Sequence, residues 1–225
     1  MHVVMLAFPS MTQLDLTGPF QVFSRFPELT LHLVWKTVDP IADGSGLRII
    51  PTTNFADCPK ADILFVPGGP GQLALMEDEE TLAFLRLKSE GAAYVTSVCT
   101  GSLVLAAAGL LTGYRATCHW MALSQLAVFG VTPVSQRVVI DRNRVTGAGV
   151  TSGIDFALTL VGELFGEKRA RIAQLGLEYD PQPPFDSGSP AKASPEIKEQ
   201  AMVHIADLRR HREEAAKRAA ARLKT

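Results

Sequence analysis

Short apolar runs alternate with amphipathic segments along most of this chain. The runs at residues 2–8, 31–37, 61–66 and 94–98 have the length and composition of buried strands. Segments with apolar residues three and four positions apart follow several of these runs, as in residues 77–90. This alternation predicts an α/β fold with a mostly parallel sheet and helices on both faces.

The second half of the chain continues with a hairpin and further helices. Residues 136–147 alternate as two strands that turn at residues 141–143. Helical periodicity then predicts helices over residues 154–165 and 167–178. Proline, serine and glycine are concentrated in residues 180–193, which predicts a linker.

The C-terminal extension, residues 186–225, is predicted to contain one long helix. A Ser-Pro-Glu sequence at residue 194 is a good helix start, and apolar positions between residues 197 and 208 share one face. Eight Lys and Arg against five Asp and Glu in residues 196–225 indicate a solvated, mildly basic surface. We expect the chain to form a single domain spanning residues 1–225. This helix would dock on the body of that domain or on a partner subunit rather than on DNA.

The period changes from strand to helix at Cys99, so this residue is predicted to lie on a tight turn with strained backbone angles. The N–H groups of the following helix would lower the pKa of its thiol and favour the nucleophilic thiolate. Gly101 and other small neighbours would let a small substrate approach the sulfur. The alternative is a buried structural cysteine, which is a common fate of a single cysteine.

Asp15 lies between two leucines, just before Gly18-Pro19 and a helix predicted to begin at Pro19. A carboxylate in this position is either a cap for that helix or a functional acid held in a partly dry site. His119, after a short predicted strand, is either a base for Cys99 or a structural histidine with satisfied hydrogen bonds.

A glycine-rich loop, residues 67–71, follows the strand at residues 61–66. Such a loop brings backbone N–H groups close to a ligand, so donors near Gly69 and Pro70 could bind a phosphate or stabilise developing charge. Neither a Walker A sequence nor a complete Gly-x-Gly-x-x-Gly sequence is present. A plain strand-to-helix turn is the other interpretation.

The composition excludes several classes of function. The chain has 225 residues, 47% of them hydrophobic and 20% charged, and a net charge of −1, so it lacks the basic footprint of a nucleic-acid-binding protein. No apolar run reaches the roughly 18 residues of a membrane span, and the N-terminus reads as a strand rather than a signal peptide. The three cysteines (Cys58, Cys99 and Cys118) have no metal or redox spacing, so we expect free thiols and a cytoplasmic location.

Four motifs together resemble the DJ-1/PfpI superfamily over roughly the whole chain. They are Asp15-Leu16-Thr17-Gly18-Pro19, Val66-Pro67-Gly68-Gly69, Ser97-Val98-Cys99-Thr100-Gly101 and Thr117-Cys118-His119-Trp120, in the order of that family. Within the superfamily, the segments 13–19, 95–105 and 177–185 are most similar to the isocyanide hydratases. In protease-like and chaperone-like members a glutamate and a histidine stand near the cysteine, where this chain has Asp15 and Thr100, which argues against a peptidase.

The resemblance implies a flavodoxin-like core, a homodimer and addition of water to an isocyanide, giving an N-substituted formamide through a covalent thioimidate. Cys99 would be the nucleophile, Asp15 the acid and base, and Thr100 a hydrogen-bonding neighbour. No metal, organic cofactor, nucleic acid or membrane would take part. Ala148 and Val150 depart from the hydratase pattern, so the pocket shape is expected to differ. The alternatives are glyoxalase- or deglycase-type chemistry on small carbonyls and a non-catalytic sensor.

Overall fold

The computed structural model describes residues 1–223, with eleven strands and nine helical segments. The strands are β1 (His2–Leu6), β2 (Thr30–Trp35), β3 (Ile41–Ala42), β4 (Arg48–Ile49), β5 (Thr53–Asn54), β6 (Ile63–Val66), β7 (Tyr94–Val98), β8 (Arg115–Ala116), β9 (Thr132–Pro133), β10 (Val138–Asp141) and β11 (Arg144–Gly147). The helices are α1 (Gln13–Phe23), α2 (Gln72–Leu75), α3 (Glu79–Ser89), α4 (Gly101–Ala107), α5 (Ser152–Phe165), α6 (Glu167–Gly176), α7 (Pro195–His204) and α8 (Ala206–Arg222), with a 3₁₀ helix at Leu123–Phe129.

A seven-stranded sheet forms the centre of the molecule, in the order β10-β11-β7-β6-β1-β2-β5. Every neighbouring pair in it is parallel except the β10–β11 hairpin. β3 with β4 and β8 with β9 form two small separate sheets. The central strands β1 and β6 are fully buried from residues 3 to 6 and from 63 to 66, as parallel strands covered on both faces must be. The predicted α/β fold with a mostly parallel sheet is confirmed.

The direction of winding reverses beside β1. The chain passes from β1 to β2 on one side but from β6 to β7 on the other, so right-handed crossovers place α1 and α3 on opposite faces of the sheet. α1 packs with α5, and α5 with α6, whereas α4 packs with α3 and α8. In such folds the crevice at the carboxyl ends of the strands, where the winding reverses, is the usual ligand site.

Aromatic packing fixes the α1–α5 layer to the sheet. Phe156 of α5 and Phe65 of β6 are fully buried with ring centroids 5.6 Å apart, and Phe23 of α1 meets Phe156 edge-on at 6.2 Å. Burial of three such rings stabilises the fold by several kcal/mol, roughly 1.5–3 kcal/mol for each side chain. The helix α1, whose first turn contains Asp15, is therefore packed firmly against α5.

The predicted start of α1 at Pro19 is wrong, because the helix begins at Gln13 and contains Pro19 in its middle. A proline inside a helix cannot donate a hydrogen bond to the carbonyl four residues earlier, here that of Asp15. Gly153 of α5 lies directly against the Pro19 ring, where a Cβ would be 3.0 Å from Cδ. The close packing of α1 on α5 offsets the lost hydrogen bond, and local propensity does not decide the boundary.

The predicted single C-terminal helix is two helices, α7 and α8, separated at Ile205. Ser194 caps α7 as expected, but Ile197 on the predicted inward face is 46% exposed. The face that is buried belongs instead to α8 and consists of Arg212, Ala215, Ala216, Ala219 and Ala220. Alanines allow close approach to α4 and the 3₁₀ helix, so the C-terminal extension docks on the body of the chain as expected, but through α8 rather than through the predicted apolar face. No helix within residues 1–223 is long and apolar enough to cross a bilayer.

Candidate active site

Three neighbouring strands deliver the candidate site residues to the same edge of the sheet. β1 leads to Asp15, β6 leads to Gly68 and Gly69, and β7 leads to Cys99, and these strands are adjacent in the order β1-β6-β7. Because all three run in the same direction, their carboxyl ends meet. The structure thus brings together residues separated by up to 84 positions in the sequence.

Cys99 has a left-handed backbone conformation, with φ of +58°, and so confirms the predicted strained turn. This conformation costs a non-glycine residue about 1–2 kcal/mol. The Cys99 N–H donates to the carbonyl oxygens of Gly147 at 3.0 Å and Ala148 at 2.7 Å. Gly101 permits the turn, since a Cβ there would lie 2.2 Å from the Val66 carbonyl oxygen. These two hydrogen bonds join the Cys99 turn to the end of β11.

Asp15 is fully buried and does not cap a helix. Its Oδ2 accepts a hydrogen bond from Gly68 N at 3.0 Å, and the Cys99 thiol lies within hydrogen-bonding reach of the carboxyl. Its Oδ1 has no hydrogen-bond partner among the described residues. Burial raises the pKa of Asp15 to about 7, although the contacts with Cys99 and Gly68 favour the charged form. Both protonation states are therefore populated near neutral pH, as proton transfer requires.

Gly68 has to be a glycine for Asp15 to approach Cys99. A Cβ at Gly68 would lie 2.5 Å from Thr100 N and 2.9 Å from Asp15 Oδ2. Next to it, Gly69 N donates to Thr100 Oγ1 at 3.0 Å. The Gly69 amide is thus already engaged, and Pro70 has no N–H to offer. The backbone donor that faces the sulfur is the Thr100 N–H instead.

The predicted lowering of the Cys99 pKa by the helix N-terminus is wrong. Burial, the Asp15 carboxylate and the Cys118 thiol all raise the pKa of Cys99, and the hydrogen bond from the Thr100 N–H lowers it by less. α4 is a helix of seven residues, and its terminus cannot outweigh the removal of the sulfur from water. Since Cys99 is only 5% exposed, the resting residue is a thiol next to a carboxylate, and Asp15 is the group placed to remove its proton.

His119 and Cys118 lie beside the site, and the described hydrogen bonds do not join either of them to Asp15. His119 is half-buried, its Nδ1 accepts from Met121 N at 3.3 Å, and its ring lies against Gly149. The described contacts include no hydrogen bond from His119 to Cys99, and burial lowers the pKa of His119. Cys118 is 1% exposed with a pKa raised by burial to about 12, which fits its predicted packing role. All three cysteines are free thiols.

Sequence reasoning missed Arg212, which α8 brings to this site. Arg212 is 5% exposed, and its charge acts on the thiols of both Cys118 and Cys99. The available signal was the stripe of alanines that follows it at helical spacing, which marks a face for close packing. No cluster of three or more side chains suited to a metal ion occurs within residues 1–223.

The chain is similar in sequence and in fold to several known proteins. The chain is 52% identical over 223 residues to the isonitrile hydratase of Pseudomonas putida, covering 99% of this chain and 98% of that protein. It is 45% identical to a ThiJ/PfpI family protein of Pseudomonas syringae, whose crystal structure superposes with a TM-score of 0.93 and covers 96% of this chain and 90% of that one. The regulator GbdR of Pseudomonas aeruginosa is 36% identical over 133 residues, a segment that makes up 58% of this chain and 36% of that regulator. A model of the DJ-1/PfpI family matches residues 1–163, and the chain belongs to this family.

Proposed function

We propose that this protein is a hydro-lyase that adds water to an isocyanide, R–N≡C, and releases an N-substituted formamide. The observation that carries the proposal is a buried carboxyl with a pKa of about 7, within reach of a cysteine thiol on a strained turn. The similarity to isonitrile hydratase over nearly the full length of both chains supports the choice of substrate class.

The first half of the reaction forms a covalent intermediate. The Asp15 carboxylate takes the proton of Cys99, and the thiolate attacks the terminal carbon of the isocyanide. Protonated Asp15 then gives that proton to the same carbon, which produces the thioimidate R–N=CH–S–Cys99. The N–H of Thr100 stabilises the sulfur while it is negatively charged.

The second half releases the product. Asp15, again a carboxylate, takes a proton from water, and the hydroxide attacks the thioimidate carbon as a proton passes to the nitrogen. The tetrahedral species R–NH–CH(OH)–S–Cys99 then breaks its C–S bond, the hydroxyl becomes the formyl carbonyl, and the sulfur regains a proton. The unpartnered Oδ1 of Asp15 supports this role, because one oxygen is held by Gly68 and the other remains available to exchange protons.

Neighbouring residues would bound the substrate. We propose that the Thr100 hydroxyl, hydrogen-bonded to Gly69, keeps the loop at Gly69 and Pro70 in place over the reacting carbon. His119 would line the side of the site next to Gly149 and would contact the substituent R as a neutral ring. No step of this mechanism uses a metal or an organic cofactor.

The decisive test combines an assay with mass spectrometry. An alkyl or aryl isocyanide is expected to yield the matching formamide, and the intact protein during turnover should gain the mass of one isocyanide at Cys99. Cys99→Ala should abolish formamide production and labelling while the fold persists. Cys58→Ala, which removes another buried free thiol, is the matched control and should retain activity. Formamide production by Cys99→Ala at the wild-type rate would refute the proposal.

The same preparation distinguishes the rival functions. Turnover of methylglyoxal with no turnover of isocyanides would favour glyoxalase-type chemistry. A sensor of the regulator type needs a DNA-binding module, whereas α8 has its alanine face buried against α4 and the 3₁₀ helix. A ligand-dependent DNA shift without turnover would favour that alternative.

We also propose that the protein is a cytoplasmic homodimer. Three free cysteines support a reducing compartment. Large apolar side chains on α6, Ile172 at 62% and Leu175 at 82% exposure, support a second copy as the partner that covers them. Neither a membrane nor a nucleic acid is needed as a partner.

A further inference from the structure

Arg137 joins two elements at the surface of the molecule. It lies directly before β10, and its Nε donates a hydrogen bond to Asp155 Oδ2, in the first turn of α5, at 2.7 Å. Its guanidinium also donates to Oγ1 of Thr151, the residue that precedes α5, at 3.3 Å. The Arg137–Asp155 ion pair is partly shielded from solvent, since the two side chains are 51% and 32% exposed. Arg137 therefore fixes the start of α5 to the β10–β11 hairpin.

Tyr179 gives the same carboxylate a second support. Its hydroxyl donates to Asp155 Oδ2 at 2.9 Å. Tyr179 is itself held at the end of α6, where its N–H donates to the Gln174 carbonyl at 3.1 Å and the Gln174 side chain donates to its carbonyl at 3.2 Å. It belongs to the segment 177–185, which is similar to the isocyanide hydratases, and no step of the proposed reaction uses that segment.

The hairpin and α5 enclose the backbone segment that holds Cys99. The main-chain carbonyl of Arg137 accepts from Ala148 N at 2.9 Å, and the carbonyl of Ala148 accepts from Cys99 N at 2.7 Å. Arg137 thus contacts both ends of residues 148–151, through its carbonyl at Ala148 and through its guanidinium at Thr151. A left-handed backbone conformation such as that of Cys99 persists only where the surrounding structure determines it.

We infer that Arg137 is a positioning residue that acts on the Cys99 turn through residues 148–151. The guanidinium fixes the end of this segment at α5, so the carbonyl that receives the Cys99 N–H has a fixed position. A fixed turn keeps the thiol within reach of the Asp15 carboxyl, and a displacement of about 1 Å can slow catalysis roughly a hundredfold. The described contacts of Arg137 reach this segment rather than the sulfur, so its effect is one of position.

The inference rests on Cys99 as the nucleophile of the proposed function, but its first test needs no isocyanide. Hydrogen exchange of the Cys99 amide is measured by NMR, with the amides of β1 as the reference for global unfolding. The variants are Arg137→Met, which removes the side-chain contacts and keeps the main-chain carbonyl, and Arg137→Lys, which keeps a cationic donor. Arg169→Met is the matched control, because Arg169 forms a similarly exposed ion pair with Glu28 at the start of α6.

Arg137→Met should speed exchange of the Cys99 amide about tenfold and leave the β1 amides within about threefold of wild type. Arg137→Lys should stay within about threefold of wild type at both places, and Arg169→Met should not accelerate Cys99 selectively. With an alkyl isocyanide, Arg137→Met should lower kcat roughly tenfold and change KM by less than about twofold. Unchanged exchange at Cys99 in Arg137→Met would overturn the inference. Equal acceleration at Cys99 and in β1 would also overturn it, by showing a purely structural role.

A second variant decides the question if Arg137→Met does not fold. Asp155→Asn keeps the shape of the acceptor but removes its charge, and charged hydrogen bonds are about twice as strong as neutral ones. It should speed exchange of the Cys99 amide selectively, by about threefold, and an unchanged rate overturns the inference. A protein that shows the selective exchange but hydrates no isocyanide would refute the proposed function alone, so the two failures are distinguishable.

Discussion

Cys99 and Asp15 share one mobile proton in a site that excludes bulk water. The carboxyl is fully buried, and the thiol residue is 5% exposed, so each charged form is disfavoured by desolvation. The Asp15 carboxylate also raises the pKa of the Cys99 thiol. When Asp15 is ionised, the pair therefore carries a single negative charge, first on the carboxylate and, after proton transfer, on the sulfur.

This burial should make Asp15 a source of pH-dependent instability. Its pKa is about 7 in the folded protein against 3.8 when exposed, so the folded state binds the proton more tightly. Tighter proton binding by the folded state adds up to about 4 kcal/mol to the free energy of unfolding. This contribution is fully present below pH 3.8 and is lost as the pH rises to about 7. Asp15→Asn should be less affected by pH in this window and should be the more stable protein at pH 8.

Urea unfolding of wild type and Asp15→Asn between pH 4 and 8 measures this difference, because other titrating groups cancel between the two proteins. Parallel stability curves would show that Asp15 has an ordinary pKa. The same variant should lose nearly all hydratase activity at every pH, since an amide cannot accept the thiol proton.

At the residue scale, the strained turn at Cys99 was predictable from the sequence, but the direction in which the pKa of Cys99 shifts was not. The change of period at Cys99 is local, so the sequence is sufficient to predict the turn. The pKa depends on Asp15, Cys118 and Thr100, and on how completely the fold covers the sulfur. Those are tertiary quantities, and spacing along the chain carries no information about them.

At the scale of elements, α8 is the least expected part of the molecule. Its buried alanines contribute little apolar area, so ion pairs at the edge of the contact add to its docking. Arg218 donates to both carboxylate oxygens of Glu77 at 2.9 Å, and Arg222 donates to the Met76 carbonyl at 2.8 Å. These contacts tie α8 to the loop between α2 and α3.

Glu77→Gln should loosen α8 without disturbing the sheet. Arg218 and Arg222 lower the pKa of Glu77 to about 2 from 4.5, so the carboxylate contributes stability above pH 4.5 that is lost as the pH falls towards 2. Because the Glu77 side chain is 33% exposed, solvent screening reduces the expected loss to about 1 kcal/mol at pH 7. Hydrogen exchange of the α8 amides should become faster in this variant.

Glu79→Gln is the control for this change, since Glu79 pairs with Arg86 on the exposed surface of α3. It should change stability by less than about 0.5 kcal/mol and leave exchange in α8 unaltered. Equal exchange in α8 for wild type and Glu77→Gln would mean that the alanine face alone holds the helix.

The elements with strong local signals were predicted well, and the errors fall where tertiary packing decides. The strand β7 and the β10–β11 hairpin lie within the predicted segments. The helix α1 runs through Pro19 because α5 packs on it, and α8 buries Arg212 because α4 and the 3₁₀ helix cover that face. The periodicity of one segment carries no information about which of its faces a distant segment will pack against.

At the scale of the whole molecule, the doubly wound topology explains why so few residues suffice for a site. Three parallel strands end side by side, and each adds one short segment above the sheet. The helices form two layers on opposite faces of the sheet. One layer contains α3, α4 and α8 and closes the side next to Cys99, and the other contains α1, α5 and α6. The outer surface of α6 is then free for assembly.

Leu175→Glu should convert the proposed homodimer into a monomer. Leu175 is 82% exposed and Ile172 62% exposed on the same helix, and covering each by a second copy gains roughly 1.5–3 kcal/mol per side chain. In a two-fold interface the same surface of both subunits is buried, so each residue occurs twice. A single substitution at Leu175 therefore buries two glutamate carboxylates without partners. Light scattering after size-exclusion chromatography should give twice the chain mass for wild type and the chain mass of 24.3 kDa for the variant.

Leu87→Glu, on α3 in the opposite layer, is the matched control, because Leu87 is 60% exposed but lies away from α6. It should leave the mass of the wild-type assembly unchanged. A dimeric Leu175→Glu protein would move the interface elsewhere, and a monomeric wild type would remove the homodimer from the proposal. Because Asp15 and Cys99 come from one chain, a monomeric Leu175→Glu protein should also retain the hydratase activity of wild type.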